Sequence, residues 1–130
     1  MIALDTSALI AILAGEPAAE ACASVLHRAR VVLLSAASLT EAMIVASRRS
    51  LDAPLAAYLD GLAPTILPLT KERAERAAAA YRRFGKGFHP AGLNFGDCFA
   101  YAAAEEFACP LLFIGGDFAR TDLSAALPPH

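Results

Sequence analysis

The chain has 130 residues, of which 57% are hydrophobic, and it carries a formal net charge of −2. Its length suits a single compact domain, and its uncharged runs are shorter than the roughly 18 residues of a membrane span, so we expect no membrane segment. An apolar pattern from residue 2 leaves no room for a secretory leader, and the three cysteines form no CxxC pair, so we expect a cytoplasmic protein without disulfides or zinc.

Four short apolar runs predict β-strands, at residues 2–4, 31–34, 65–69 and 111–114. None of them alternates with polar residues, which is typical of parallel strands buried on both faces. Helical periodicity lies between them, at residues 16–29, 39–46, 52–62, 70–84 and 96–108, and a further helix begins near Thr6. Asp52 and Thr70 are the expected N-caps of their helices, and Glu72 and Arg76 are an expected i, i+4 ion pair.

Strands that alternate with helices predict right-handed crossovers and a sheet covered on both faces. We therefore expect a three-layer α/β/α domain over residues 1–130, with a central, mainly parallel sheet of four to five strands and a frayed end at residues 127–130. The longest connection, residues 85–95, contains three glycines, a lysine, a histidine and a proline. Connections of that length are usually functional, so this one is expected to border the site.

Four acidic residues occur where a parallel sheet places its ligands, beyond the carboxyl ends of the strands. Asp5 follows the first strand, Asp97 opens the last helix, and Asp117 follows the last strand after two glycines. Glu41 lies within the helix after the second strand, where its helical neighbours are mainly apolar, and an ionised group there must be paired or bound to metal.

Each acid also has a purely structural interpretation. Asp5 could cap the helix near Thr6, Asp97 could be a first-turn acid favoured by the helix dipole, and Asp117 could be a turn residue. Glu41 could pair with a distant arginine. Taken together, however, clustered carboxylates suit Mg²⁺ or Mn²⁺, hard cations that bind oxygen ligands and water beside a substrate phosphate. One or two such ions could activate water for phosphodiester hydrolysis.

Four segments that carry these acids resemble the PIN-domain ribonucleases, and within them the VapC toxins of type II toxin–antitoxin pairs. The segments read IALDTSALIAIL, SAASLTEAMIVA, GKGFHPAGLNFGDCFAYAAA and LLFIGGDF followed by ARTD, and they cover nearly the whole chain. The resemblance implies a PIN-like fold and metal-dependent endoribonuclease activity on RNA, with tRNA or rRNA as possible targets. It also implies a VapB-like antitoxin partner and a homodimer.

The resemblance further implies that Asp5, Glu41, Asp97 and Asp117 form the acidic quartet, with Asp5 and Asp97 as direct metal ligands. Thr6 or Ser7 is then a support for Asp5. Relatives often have a hydroxyl residue before the fourth acid, where this chain has two glycines, and Asp122 is the substitute candidate. Asn94 either contacts the site or caps the last helix.

Candidate RNA contacts come from two regions, the glycine-rich connection and the helix before it. Setting the four acids aside leaves nine acidic residues against 11 basic ones, so RNA binding is compatible with the overall charge. The candidates are Lys86, His89, Arg73, Arg76 and Arg83, although a charged helical face is commonly only solvated.

Two other functions account for the sequence less well than a nuclease. A phosphatase of the haloacid dehalogenase type would use Asp5 as its nucleophile, but it would have a second aspartate where this chain has Ser7. An inert metal-binding module that only engages a partner would have little reason to keep Glu41 on an apolar face.

Overall fold

The computed structural model describes residues 1–127, which form a sheet flanked by helices. In chain order the elements are β1 (Ile2–Leu4), α1 (Thr6–Leu13), α2 (Ala19–Arg28), β2 (Val32–Ser35), α3 (Ala36–Arg48), α4 (Asp52–Leu62), β3 (Thr65–Leu67), α5 (Lys71–Phe84), α6 (Phe95–Glu106) and β4 (Leu111–Leu112). A short 3₁₀ turn follows at Phe118–Arg120.

The four strands form one parallel sheet in the order β3-β2-β1-β4. Ala3 of β1 lies opposite Leu33 on one side and Leu111 on the other, which fixes the register at the centre of the sheet. Beyond β4, a single parallel bridge joins Leu111 to Ala125 and takes the place of a fifth strand. The predicted parallel sheet is therefore confirmed.

Successive strand residues belong to two different hydrophobic clusters, one on each face of the sheet. Ala3, Leu33 and Leu111 pack with α5 and α6, whereas their neighbours along each strand pack with α1 to α4. In β1, β2 and β4 this burial on both faces is the reason that no polar face appears in the sequence pattern. The edge strand β3 differs from the prediction, because Thr65 and Ile66 are exposed. The three-layer α/β/α arrangement predicted from the sequence is confirmed.

Several predicted boundaries and contacts differ from the structure. The third strand ends at Leu67, before Pro68, because proline has no N–H to donate to a neighbouring strand. The second helix begins at Ala19 rather than residue 16, because Ala19 N–H donates to the Glu16 carbonyl in a separate turn at 2.9 Å.

Two predicted local interactions are wrong, and one is confirmed. Asp52 is the first helical residue of α4 rather than its N-cap, and its carboxylate accepts a hydrogen bond from the Ser47 hydroxyl at 2.5 Å. Arg76 lies 3.9 Å from Glu105 on α6 instead of pairing with Glu72. Thr70 caps α5 as predicted, accepting from the Arg73 N–H at 3.2 Å.

Two further predictions concern the C-terminal residues and membrane-spanning helices. Leu127 packs against the cluster beneath α1 to α4, and residues 128–130 of the predicted frayed end lie outside the described residues. Within residues 1–127, no helix is both long enough and apolar enough to cross a membrane.

Candidate active site

Asp5 lies at the carboxyl end of β1 and is the N-cap of α1. Its Oδ2 atom accepts hydrogen bonds from the Ser7 N–H at 3.0 Å and from the Ser7 hydroxyl at 2.5 Å. The same hydroxyl accepts from the Ile114 N–H at 3.0 Å, which joins the start of α1 to the segment after β4. Ser7 therefore holds the Asp5 carboxylate in place, whereas the Thr6 hydroxyl donates to the Ser38 carbonyl of α3 at 3.1 Å.

The Asp5 carboxylate is buried, with only 4% of the residue exposed, yet it forms no ion pair within residues 1–127. Burial raises the pKa of Asp5 above its ordinary value, the hydrogen bonds from Ser7 oppose that rise, and the negative charge of Glu41 adds to it. A buried acid without a basic partner is costly to the fold, so the position favours a bound cation.

Asp97 lies in the first turn of α6 and forms a reciprocal capping box with Asn94. The Asp97 N–H donates to Asn94 Oδ1 at 2.9 Å, and the Asn94 N–H donates to Asp97 Oδ2 at 3.0 Å. The capping interpretation of Asp5, Asp97 and Asn94 is thus correct as far as local structure goes. In both aspartates, each hydrogen bond that the carboxylate accepts within the described residues ends on Oδ2, which leaves Oδ1 available to a ligand.

The electrostatics of Asp97 link all four predicted acids. Burial raises the pKa of Asp97 to about 6, against the hydrogen bond from Asn94 and with further contributions from the charges of Asp5, Asp117 and Glu41, in that order. The negative charges of three other acids thus act on Asp97, and carboxylates gathered in this way attract a divalent cation.

Glu41 reaches this neighbourhood because α3 packs against α6. Its carboxylate lies against the backbone of Gly96, where an added Cβ would overlap Oε2 and approach Cδ to 2.9 Å. Any larger residue at position 96 would displace the carboxylate. Gly96 is a residue that sequence reasoning misses, and the one signal of it is a poor helix former placed in the first turn of a helix.

A cleft of about 320 Å³ brings together Asp5, Glu41 and Asp97. Glu16, from the connection between α1 and α2, and Arg49, from the end of α3, also line it. Sequence reasoning misses both residues, because an acid before a proline and a base at a helix end look like ordinary helix-terminus residues.

Asp117 lies at the edge of this group rather than among the lining residues. It is exposed and occupies the cap position of the 3₁₀ turn, yet its charge raises the pKa of Asp97. The preceding Gly115 has φ = +102°, a conformation that side chains other than glycine rarely adopt. This backbone accounts for the glycine at position 115, two residues before Asp117.

Asp122 is engaged elsewhere. Its carboxylate accepts from the Tyr101 hydroxyl at 2.6 Å and lies 3.0 Å from Nη2 of Arg83. The hydrogen bond from Tyr101, followed by the charge of Arg83, lowers the pKa of Asp122. The structure therefore joins Asp122 to a network between α5, α6 and the C-terminal segment.

The predicted RNA-contact residues lie outside the cleft. Arg73 forms two hydrogen bonds to Glu106, at 3.0 and 3.2 Å, and Arg76 lies 3.9 Å from Glu105. Lys86 is exposed, whereas His89 packs edge-on against Phe84 with 4.9 Å between the ring centroids. The connection at residues 85–95 touches the acidic group only through its last residues.

The potential metal ligands in the cleft are suitable for a hard cation. They are carboxylates, with no histidine or cysteine among the lining residues, and none pairs with a base except Glu16. Within residues 1–127, however, no three acidic, histidine or cysteine side chains are already close enough to hold an ion among them. This arrangement fits an open site, in which water and substrate oxygens supply the remaining ligands.

Comparison with known proteins agrees with this architecture. The family model of the PIN domain matches residues 2–123. Ribonuclease VapC28 of Mycobacterium tuberculosis is 46% identical over 129 residues, covering 95% of this chain and 96% of that protein.

Two solved structures share the fold. The first is VapC20 of Mycobacterium tuberculosis, described as a sarcin–ricin loop cleaving toxin, which has a TM-score of 0.79 at 20% identity and covers 98% of this chain and 100% of its own. The second, a toxin–antitoxin complex from Klebsiella pneumoniae, has a TM-score of 0.72 at 20% identity, covering 94% and 93%. The chain belongs to the PIN domain family and, within it, to the VapC ribonucleases.

Proposed function

We propose that the cleft around Asp5, Glu41 and Asp97 binds Mg²⁺ or Mn²⁺ and hydrolyses RNA phosphodiester bonds, with Asp117 as the fourth acid at its edge. Membership of the VapC ribonucleases makes the protein an endoribonuclease toxin. The proposal therefore concerns which residues do the chemistry and what they require.

One observation carries the proposal, namely that Asp5, Glu41 and Asp97 line one cleft while no base in residues 1–127 forms an ion pair with any of them. Elsewhere in the chain, the partly buried Glu106 and the exposed Asp122 each have an arginine partner. Ionised acids without a basic partner destabilise the fold, and a bound cation removes that cost.

The hydrogen bonds indicate which acids would bind the metal directly. Asp5 and Asp97 each commit Oδ2 to a cap and would hold the ion through Oδ1. Glu41, placed by Gly96, and the exposed Asp117 would act directly or through bound water. When bound, the ion would acidify the attacking water and stabilise the leaving 3′ oxygen, so the protein itself needs no nucleophile.

Substrate and partners follow from the relatives. VapC20 is described as a sarcin–ricin loop cleaving toxin, so we propose structured RNA, either rRNA or tRNA, as the substrate class. The neighbour that was solved as a toxin–antitoxin complex supports a VapB-like antitoxin as the partner. We also propose that the protein acts in the cytoplasm, where tRNA and rRNA function. Met43, Ile44 and Phe95 are each more than half exposed, which supports an interface with a second copy or with the antitoxin.

The experiment is cleavage of labelled tRNA and rRNA fragments by purified protein, with Mg²⁺, with Mn²⁺ and with chelator. Asp5→Asn and Asp97→Asn should each abolish cleavage, because the carboxamide keeps the shape of the side chain but loses its charge. Asp60→Asn, an exposed position on α4, is the matched control and should cleave normally. Full activity of Asp5→Asn or Asp97→Asn would remove that residue from the site, and cleavage in chelator would end the metal proposal.

A further inference from the structure

Arg49 is the one basic residue among those that line the acidic cleft. It directly follows α3, and its backbone N–H donates to the carbonyls of Val45 and Ala46 at 3.2 and 3.1 Å. This capping fixes the base of the side chain, whereas the side chain itself is 53% exposed. A positively charged group is thus anchored at the cleft but free to move at its tip.

The partner of Arg49 in this structure is Glu16, on the opposite wall. The Arg49 Nη1 atom lies 3.7 Å from the Glu16 Oε2 atom, beyond the distance of a good hydrogen bond, and the Glu16 side chain is 42% exposed. Exposed pairs of this kind contribute little to stability and exchange readily for a better partner. The contact contrasts with the tight, double hydrogen bond between Arg73 and Glu106.

A polyanion that enters this cleft meets four carboxylates, those of Asp5, Glu16, Glu41 and Asp97. The metal offsets charge at the reacting phosphate, but the neighbouring phosphates of an RNA strand need a positive group of the protein. The guanidinium fork of arginine matches a phosphate and binds it through two parallel hydrogen bonds. Within residues 1–127, Arg49 alone lines the cleft with that chemistry.

We propose that Arg49 binds a backbone phosphate of the RNA next to the scissile bond, and that Glu16 holds Arg49 until the RNA displaces it. The inference rests on the proposed function, since it takes RNA as the substrate. In this scheme Arg49 contacts substrate, and Glu16 is a positioning residue that acts through Arg49. Exchange of the Glu16 carboxylate for a phosphate leaves the guanidinium paired throughout.

The test measures equilibrium binding of a fluorescent single-stranded RNA to the full chain with Asp5→Asn, which prevents cleavage, in chelator over a range of salt concentrations. Adding Arg49→Gln should weaken binding about tenfold, as for a lost hydrogen bond to a charged group. It should also reduce the slope of log K against log salt by about 0.7, the value for one lost phosphate contact on a single strand. Arg49→Lys should keep the slope and recover part of the affinity.

Arg82→Gln is the control, because Arg82 is an exposed arginine of α5 without an ion pair in residues 1–127. This variant should leave the slope of log K against log salt unchanged. Glu16→Gln should tighten binding severalfold with Arg49 present and clearly less with Arg49→Gln, where only the loss of one negative charge from the cleft remains. An equal gain with and without Arg49 would show that Glu16 acts only through general charge, and would overturn its positioning role.

The inference and the proposed function fail in different ways. An unchanged slope for Arg49→Gln, in a protein that folds and whose wild type cleaves RNA, overturns the role of Arg49 alone. Absence of cleavage by the wild type with Mg²⁺ or Mn²⁺ overturns the proposed function instead. Thermal unfolding of each variant, compared with its parent, identifies any change in binding that comes from lost folding.

Discussion

Asp97→Asn should stabilise the protein when metal is absent. The carboxamide oxygen can still accept the Asn94 N–H, so the cap remains, but the negative charge among the other acids is lost. Burial and those charges raise the pKa of Asp97 from 3.8 to about 6, and such a difference corresponds to roughly 3 kcal/mol at full effect. Because Asp97 is only partly buried, screening by solvent reduces this to about 1 kcal/mol.

The dependence on pH follows from the direction of the shift. The folded state holds the Asp97 proton more tightly than the unfolded state, so the free energy of unfolding falls as pH rises from about 4 to about 6. The loss of stability that comes from ionised Asp97 is fully present at pH 7 and absent below pH 4. The gain from Asp97→Asn should therefore be largest at neutral pH.

The assay is urea unfolding of wild type and Asp97→Asn in chelator at pH 7 and pH 4.5. We expect a higher midpoint for the variant at pH 7, a thermal midpoint raised by about 3 to 5 °C, and a smaller difference at pH 4.5. Adding Mn²⁺ should then stabilise wild type more than the variant, because only the intact site binds it tightly. A variant that is less stable than wild type in chelator at pH 7 would show that Asp97 is chiefly a structural cap.

Three further substitutions distinguish effects on cleavage from effects on the stability of the fold. Gly96→Ala should reduce cleavage at least about tenfold, with little change in urea midpoint, because the new Cβ displaces Glu41 while alanine favours the helix by up to about 1 kcal/mol. Ser7→Ala should destabilise the chain by about 1 to 3 kcal/mol in urea unfolding and reduce cleavage, because the Ile114 N–H loses its acceptor; normal activity would show that Asp5 needs no such support. Asp122→Ala should leave cleavage per folded molecule unchanged and destabilise the fold by about 1 kcal/mol, because the buried Tyr101 loses its acceptor. Since the pKa of Asp122 is lowered, that loss should be seen above pH 4 and disappear as the pH falls below it, and impaired cleavage would return Asp122 to the site.

The fold was largely predictable because it depends on patterns that are local in sequence. The apolar run at residues 2–4 is a strand in any packing that buries both of its faces, and Thr70 caps its helix through a bond to a residue three positions away. One error arose where a distant partner competes with a local one. Arg76 lies as close to Glu72 in sequence as a helical pair requires, but the packing of α5 on α6 brings it to Glu105.

Some residues of the candidate site can likewise be predicted from local sequence, and others cannot. The aspartates at strand and helix ends can be recognised from their positions, and Glu41 can be recognised because it is an acid with apolar helical neighbours. Gly96 and the pair formed by Glu16 and Arg49 depend on how α1, α3 and α6 approach one another. No local pattern encodes that approach, so these residues emerge only from the structure.

The most direct test of the central claim is transcriptome-wide mapping of new RNA 5′ ends after induction of wild type or Asp5→Asn in cells. If the acidic cleft cuts RNA, wild type should produce discrete new ends in tRNA or rRNA, and Asp5→Asn, expressed to the same level, should produce none. Identical new ends from both proteins, or no new ends from wild type that is folded and abundant, would contradict the account.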